Sequence, residues 1–357
     1  MEVNFQASAR RMLERRGSVV RSTVALVYHT PQDLRLEEVP LRDPGPGEVL
    51  VRIRVCGLCP GELMDWYMAR KAPLTPGHEL VGEIVEVGPG VAGFRGGERV
   101  VVHHHAPCGA CRFCRRGDFV QCPTWRATRL IPGGLSAYAL VPPPVVERDL
   151  LPIPDAVSDE AAAFTEPLAT VVKALRRAGL RPGDRVAVIG LGVMGLLHGL
   201  TAQRWGAERV WGIDRIPARL EAGARLGLIP TPAEAAVERI RAESEGWGAD
   251  LVVVGPGSLE AIELGWSLAA PGGTLLLFTP TPPEVRWSVD VHTLYFREVR
   301  VIPSYSAGPD DMREALRLIA EGLPVEGLIT HRLPLPEAPR GYQAMRAYEA
   351  LKVLVYP

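Results

Sequence analysis

Asparagine is all but missing from this sequence; the only one is Asn4. Lysine is nearly as scarce, with Lys71, Lys173 and Lys352 set against a total of 40 lysines and arginines. Proline, at 33 residues, is plentiful. Few amides, arginine for lysine and stiff turns suit a heat-adapted or GC-rich source. An excess of charge is also lacking. A formal net charge of −1 gives no general attraction to nucleic acid or to an anionic membrane. No apolar run approaches the ~20 residues that a membrane-spanning helix needs. The leading stretch "MEVNFQASARRMLERRGSVVRS" carries arginines but no apolar h-region, which excludes a secretory signal. Residues 1–22 read as an extension ahead of the fold. Cysteines are few as well, six in all, and four fall between 108 and 122. That clustering speaks for metal ligands in a reducing compartment, the cytoplasm, and against a secreted disulfide framework.

What is present falls into two halves of different character. From about 23 to 155 the chain is β-rich. "STVALVYH", "EVLVRIRV", "LVGEIVEVG" and "GERVVVHHH" are short alternating or β-branched segments broken by glycine and proline. From about 156, apolar strands and helical patterns alternate: "DRVAVIG", "RVWGID", "DLVVVG", "TLLLFT" and "VRVIPS", with helices between. This implies a parallel sheet covered on both faces, the doubly wound architecture. An amphipathic helix, "DDMREALRLIAEG", and a last strand, "LKVLVYP", close the chain.

The motif "VIGLGVMG" sets Gly190, Gly192 and Gly195 in G-x-G-x-x-G after a strand and at the opening of a helix. Gly190 permits the tight turn, Gly192 lets the backbone approach a pyrophosphate, and Gly195 lets helix and strand pack closely. The amides of Val193 and Met194 then face the phosphates. The second strand ends at Asp214, whose carboxylate suits the two hydroxyls of an adenine ribose and repels a 2′-phosphate. That favours NAD over NADP, with Arg215 softening the preference.

"CGACRFCRRGDFVQC" supplies Cys108, Cys111, Cys114 and Cys122, four thiolates able to close a tetrahedral shell around zinc. A saturated site of this kind is structural. An iron–sulfur cluster is the competing reading. A further cysteine pair stands in "VCGLCPGEL", Cys56 and Cys59, followed at once by Pro60 and Gly61.

With these pieces placed, the chain from about 23 to 357 resembles the medium-chain zinc-dependent alcohol dehydrogenases, nearest the sorbitol, threonine and glucose dehydrogenase branch. The carrying motifs are "GLCPGEL", "GHELVGEIVEVGPGV", "GERVVV" with the cysteine lobe, "TEPLATVVKAL", "GLGVMG" and "REVRVIPS". The resemblance implies an α/β protein: a GroES-like β-rich catalytic domain, residues 1–155 and 296–357, with a Rossmann coenzyme domain inserted at 156–295. It implies two zinc ions per chain, an alcohol or ketone substrate of small size, and a homodimer or homotetramer. Matched residue by residue, the catalytic zinc falls to Cys59, His78 and Glu166, with Glu79 ligating or flanking it. Arg219 matches a position that contacts the adenosine end. The reaction implied is reversible hydride transfer between a secondary alcohol (polyol, sugar or amino alcohol) and NAD.

One place departs from the family pattern. The first ligand loop usually carries a serine or threonine two residues after the cysteine and a histidine a little further on, and these pass the substrate proton to solvent. Here Gly61 and Met64 stand there. Three readings follow. Another group carries the proton, with Glu62, Asp65, His103, His104 and His105 as candidates; or Gly61 leaves room for a larger substrate or a water chain; or the chain is a lapsed dehydrogenase that binds nucleotide as a redox sensor. Cys56 matches no ligand and reads as a small apolar residue at a strand end.

Overall fold

The computed structural model describes residues 22–357. The extension therefore lies almost wholly outside the described residues. Strand β1 (Ser22–Thr30) opens the described chain and pairs antiparallel with β2 (Asp33–Pro40).

The catalytic half is built on β3 (Val49–Gly57), β4 (Glu79–Val87), β5 (Arg99–Val102), β6 (Tyr138–Val141) and β7 (Leu150–Pro152). Chain-terminal strands complete it, β14 (Ile329–Pro334) and β15 (Lys352–Tyr356). The sheet order is β14-β15-β3-β4-β5-β7, with β6 on β3. Valine and isoleucine dominate these strands, as a pleated buried surface prefers. Val51, Ile53, Ile84, Val100 and Val353 meet in one core. The last strand is a full member: Leu354 pairs with Gly57 and Val355 with Cys56. The discontinuous domain is thus closed by the end of the chain.

The coenzyme half is a six-stranded parallel sheet in the order β10-β9-β8-β11-β12-β13. Its strands are β8 (Arg185–Ile189), β9 (Arg209–Asp214), β10 (Ile229–Pro232), β11 (Ala249–Val254), β12 (Ala269–Leu277) and β13 (Arg300–Pro303). In sequence terms this is 3-2-1-4-5-6, the Rossmann order. β13 pairs with β12 through Leu275 and Val301, so the coenzyme sheet runs on to Pro303.

The helix Thr165–Ala178 joins the halves. Its apolar residues Leu168, Val171, Val172 and Leu175 are buried. They lie in the same core as Val188 and Leu196 of the coenzyme half and Val55 and Val81 of the catalytic half. Its first turn carries Glu166 to the junction.

Candidate active site

β3 ends at Gly57, and two residues later Cys59 caps a short 3₁₀ turn, Pro60–Leu63. Pro60 suits the first position of such a turn because its missing N–H has no partner there anyway. The Gly61 amide donates to Cys59 Sγ at 3.3 Å, and the Cys59 amide donates to Glu62 Oε2 at 3.4 Å. The sequence Cys-Pro-Gly-Glu is therefore a cap that fixes the thiol.

Glu62 is buried in a network. Oε1 accepts from the Gly77 amide at 2.8 Å and lies 3.3 Å from His78 Nδ1; Oε2 accepts from the Tyr342 hydroxyl at 2.6 Å. Burial would raise this carboxyl, but His78, Tyr342 and Gly77 together hold it below its ordinary value. Burial likewise opposes charge on His78, yet the Cys59 thiolate and Glu62 raise it well above the usual imidazole range. Glu79, the first residue of β4, pairs with Lys352 Nζ; both side chains are buried, and the ammonium also reaches the Leu58 carbonyl at 3.4 Å. Burial pushes Lys352 down to about 8 against the pull of Cys59, Cys56 and Glu62. Gly57 is required here: a Cβ would run into the Glu79 carboxylate and sit 2.6 Å from Lys352 Nζ. Cys56 is wholly buried, and burial pushes its thiol up to about 12, which makes it inert.

The ligand atoms of Cys59, His78 and Glu79 lie within 4.8 Å of one another. Those of His103, His104 and Glu166 form a second such group. Glu79 stands with Cys59 and His78, while Glu166 is grouped with two imidazoles. The groups adjoin, since the His78 and His104 rings are 4.8 Å apart between centroids. His103 is anchored by Asp149, Nδ1 to Oδ2 at 2.6 Å, with both side chains fully buried. His105 donates from Nδ1 to the Thr128 carbonyl at 2.8 Å and lies 4.1 Å from the Trp125 ring. Burial, aided by His103 and Arg129, pushes His105 down to about 3. Asp65 is at the surface, paired with Arg346 at 2.6 Å.

A thiolate, an imidazole and a carboxylate suit zinc. The buried Glu79 Oε1 has no hydrogen-bond partner, as an atom reserved for a metal would not. The four lobe cysteines are unbridged, and their sulfurs lie within 4.8 Å of one another. Cys111 and Cys114 are 3.5 Å apart, and the Cys108 amide donates to Cys122 Sγ at 3.3 Å. Val120 and Trp125 pack the lobe.

At the nucleotide end, Gly190 has φ +86°, and a Cβ there would meet Pro256 at 2.9 Å. A Cβ on Gly195 would strike the Gly190 carbonyl. Gly192 caps the helix Val193–Arg204. Asp214 ends β9; Oδ2 accepts from the Leu191 amide at 2.7 Å, and Oδ1 from the Arg215 and Ile216 amides at 2.7 and 2.9 Å. Arg219 Nη1 lies 3.8 Å from Asp214 Oδ2, and its guanidinium sits over the Tyr348 ring at 5.0 Å. Arg215 is exposed and reaches Glu260 at 3.5 Å.

Residues 45–155 match the family model of the alcohol dehydrogenase GroES-like domain, and residues 190–321 that of zinc-binding dehydrogenase. A sorbitol dehydrogenase of Halalkalibacterium halodurans is 30% identical over 341 residues, spanning 92% of this chain and 97% of that protein. The chain belongs to the medium-chain zinc-dependent alcohol dehydrogenases. Two solved structures share the fold of this dehydrogenase. Alcohol dehydrogenase TADH from Thermus sp. ATN1 superposes with a TM-score of 0.84 at 32% identity, covering 94% of this chain and 99% of that one. A zinc-binding dehydrogenase from Sinorhizobium meliloti 1021, bound to NADP, superposes with a TM-score of 0.83 at 29% identity and the same coverage.

The sequence motifs named Cys59, His78, Glu79 and the glycine loop, and they named the three histidines as candidate proton carriers; the structure brings Cys59, His78 and Glu79 together. Tyr342, Asp149 and Lys352 gave no signal, because each acts through a partner remote in the chain.

Proposed function

We infer that this protein interconverts a secondary alcohol and its ketone by hydride exchange with NAD(H), with zinc held by Cys59 and His78 and by the Glu79 and Glu166 carboxylates. The observation that carries the reading is the convergent Cys59–His78–Glu79 group, half-buried at its thiol and imidazole, near Glu166 at the junction with the coenzyme half. Zinc in such a pocket supplies Lewis acidity toward a substrate oxygen. The chain's own residues do the rest. Glu62 takes the Nδ1 proton of His78 into a hydrogen bond and so leaves Nε2 for the metal. His105, neutral and tied by Nδ1 to Thr128, offers Nε2 as an acceptor for a substrate hydroxyl. That suits a polyol, sugar or amino alcohol.

Gly61 brings no hydroxyl to carry the proton away. A Cβ there would lie 3.4 Å from Cys59 Sγ and 3.7 Å from Met64 Cε, so the glycine leaves room for water to do so. Asp214 supports NAD, since a 2′-phosphate would meet its carboxylate. The structural zinc falls to Cys108, Cys111, Cys114 and Cys122. A second copy of the chain docks at the edge strand β13, beside the exposed Val291, Tyr295 and Phe296. The sensor alternative finds no support in relatives that are dehydrogenases by name.

Metal analysis tests the reading. After dialysis the protein is expected to hold two zinc ions per chain and to reduce NAD with at least one member of a polyol, sugar and β-hydroxy amino acid panel. One zinc per chain, held by the cysteine lobe, would overturn the catalytic ligand set.

A further inference from the structure

We propose that the substrate of this dehydrogenase carries an anionic group, a phosphate or a carboxylate, which Lys71 and Arg129 seat at the mouth of the cleft. The proposal rests on the alcohol dehydrogenase reading above and narrows its substrate.

A wall of rings joins the two cations to the pocket. Lys71 Nζ lies over the Tyr67 ring, 3.6 Å from its centroid. At the other end, Arg129 Nη1 is 3.2 Å from His105 Nδ1. The His105 ring lies 4.1 Å from Trp125, and Trp125 meets the Tyr305 ring edge-on at 5.8 Å. Tyr305 completes the wall from the coenzyme half. It follows β13, is 51% exposed, and has its carbonyl held by Lys173 Nζ at 2.6 Å. Burial and the neighbouring Tyr67 push the Tyr305 phenol up to about 12, while Lys71 and Arg126 pull it down. The wall begins at the metal pocket, since the His105 ring is 4.0 Å from His104 and the His104 ring 4.8 Å from His78.

Neither cation is spent on an acid. Among the described residues, no carboxylate forms an ion pair with Lys71 or Arg129. Arg129 Nη1 donates to the Arg126 and Thr128 carbonyls at 2.7 and 2.6 Å. Those bonds anchor the guanidinium and leave Nε and Nη2, one edge of its fork, for a ligand. Partial burial holds the Lys71 ammonium below its ordinary value; Tyr305 opposes this and Arg129 adds to it. Glu62, whose charge also reaches Lys71, is already engaged by Gly77, His78 and Tyr342.

The wall is also short of acceptors. Trp125 Nε1, in the ring between His105 and Tyr305, is buried with no hydrogen-bond partner. A neutral polyol needs groups that both give and take hydrogen bonds, whereas ammonium, guanidinium and indole groups only donate. Charge-assisted bonds to phosphate or carboxylate are the strong use of such donors, and the planar fork of Arg129 matches either anion bidentately.

The placement of lysine agrees. Lys71, Lys173 and Lys352 are the only lysines in a chain that otherwise uses arginine. All three stand around this cleft: Lys352 on Glu79, Lys173 on the Tyr305 carbonyl and Lys71 over Tyr67. A compact ammonium on a flexible stem can swing from the Tyr67 face onto an arriving anion.

The test is calorimetric titration of the full-length protein, as isolated and with NADH present, with sorbitol, sorbitol-6-phosphate and gluconate. At least one charged ligand should bind about 10-fold or more tightly than sorbitol, and the two charged arms tell phosphate from carboxylate. The preference should shrink as salt is added. Lys71 and Arg129 are both exposed, so substitution there spares the core. Lys71→Met and Arg129→Met should each remove about 10-fold of the preference. Equal affinity for all three ligands, or no binding of either charged one, overturns the anion seat. So does a preference that survives both substitutions, which would put the anion on the metal instead. Binding of a charged ligand by a protein that reduces NAD with no alcohol overturns the dehydrogenase reading and leaves the seat standing.

Discussion

Glu62 follows Cys59 by three residues, and its partners make it a brace. It bonds Gly77, His78 and Tyr342 and shows almost no surface. Glu62→Gln keeps the shape but replaces one acceptor oxygen with a donor facing His78 or Tyr342. Zinc affinity at the Cys59 seat should fall about 10–100-fold, as for other residues that orient a metal-binding histidine. The rate of zinc loss to a chelator measures it, and the lobe zinc is the internal control. The same residue shows where sequence reading stops. The Cys-Pro-Gly-Glu cap is local and legible. The role of Glu62 is set by Tyr342, 280 residues away, which no spacing rule reaches. Gly190, Gly192 and Asp214 were legible for the opposite reason, since a strand, a turn and a helix N-terminus state their purpose within 25 residues.

Among the elements, the short helix Asp159–Ala162 ties into the C-terminal strands. Glu160 receives two bonds of 2.7 Å from Arg332 on β14 and one from the Tyr356 hydroxyl on β15. The Arg332 and Tyr356 hydrogen bonds hold its carboxyl down to about 2, while an unfolded glutamate titrates near ~4.3. A depressed folded-state value stabilises above the unfolded one and is lost as pH falls through the folded one. Glu160→Gln should therefore cost about 1 kcal/mol or less at pH 7, solvent screening included, and nothing at about pH 2. Urea midpoints of the two proteins at both pH values check this. Element types along the coenzyme half were readable from alternation of apolar strands and helices. The extent of the sheet is less local. β13 is a four-residue strand whose membership depends on pairing with β12.

For the whole molecule, one edge of the coenzyme sheet is open at β13. Val291, Tyr295 and Phe296 are each at least 70% exposed in the helix just before it. An open strand edge beside an apolar patch suits an isologous twofold contact with a second copy. Analytical ultracentrifugation should give a dimer or tetramer of a 38.8 kDa chain. Tyr295→Asp with Phe296→Asp should shift it toward monomer with folding intact by circular dichroism, and a wild-type monomer would refute the docking surface.

The place of Lys352 has a consequence for biosynthesis. It lies in β15, 273 residues after Glu79, yet its ammonium closes the pocket against that carboxylate. A ribosome releases the coenzyme half before this residue exists, and domains generally fold in order of synthesis. Cys59, His78 and the cysteine lobe are therefore made well before β15, and Glu79 stays without its ammonium partner until that strand emerges. Any truncation that spares every ligand but removes the final strand leaves a complete set of donors around a pocket that cannot shut.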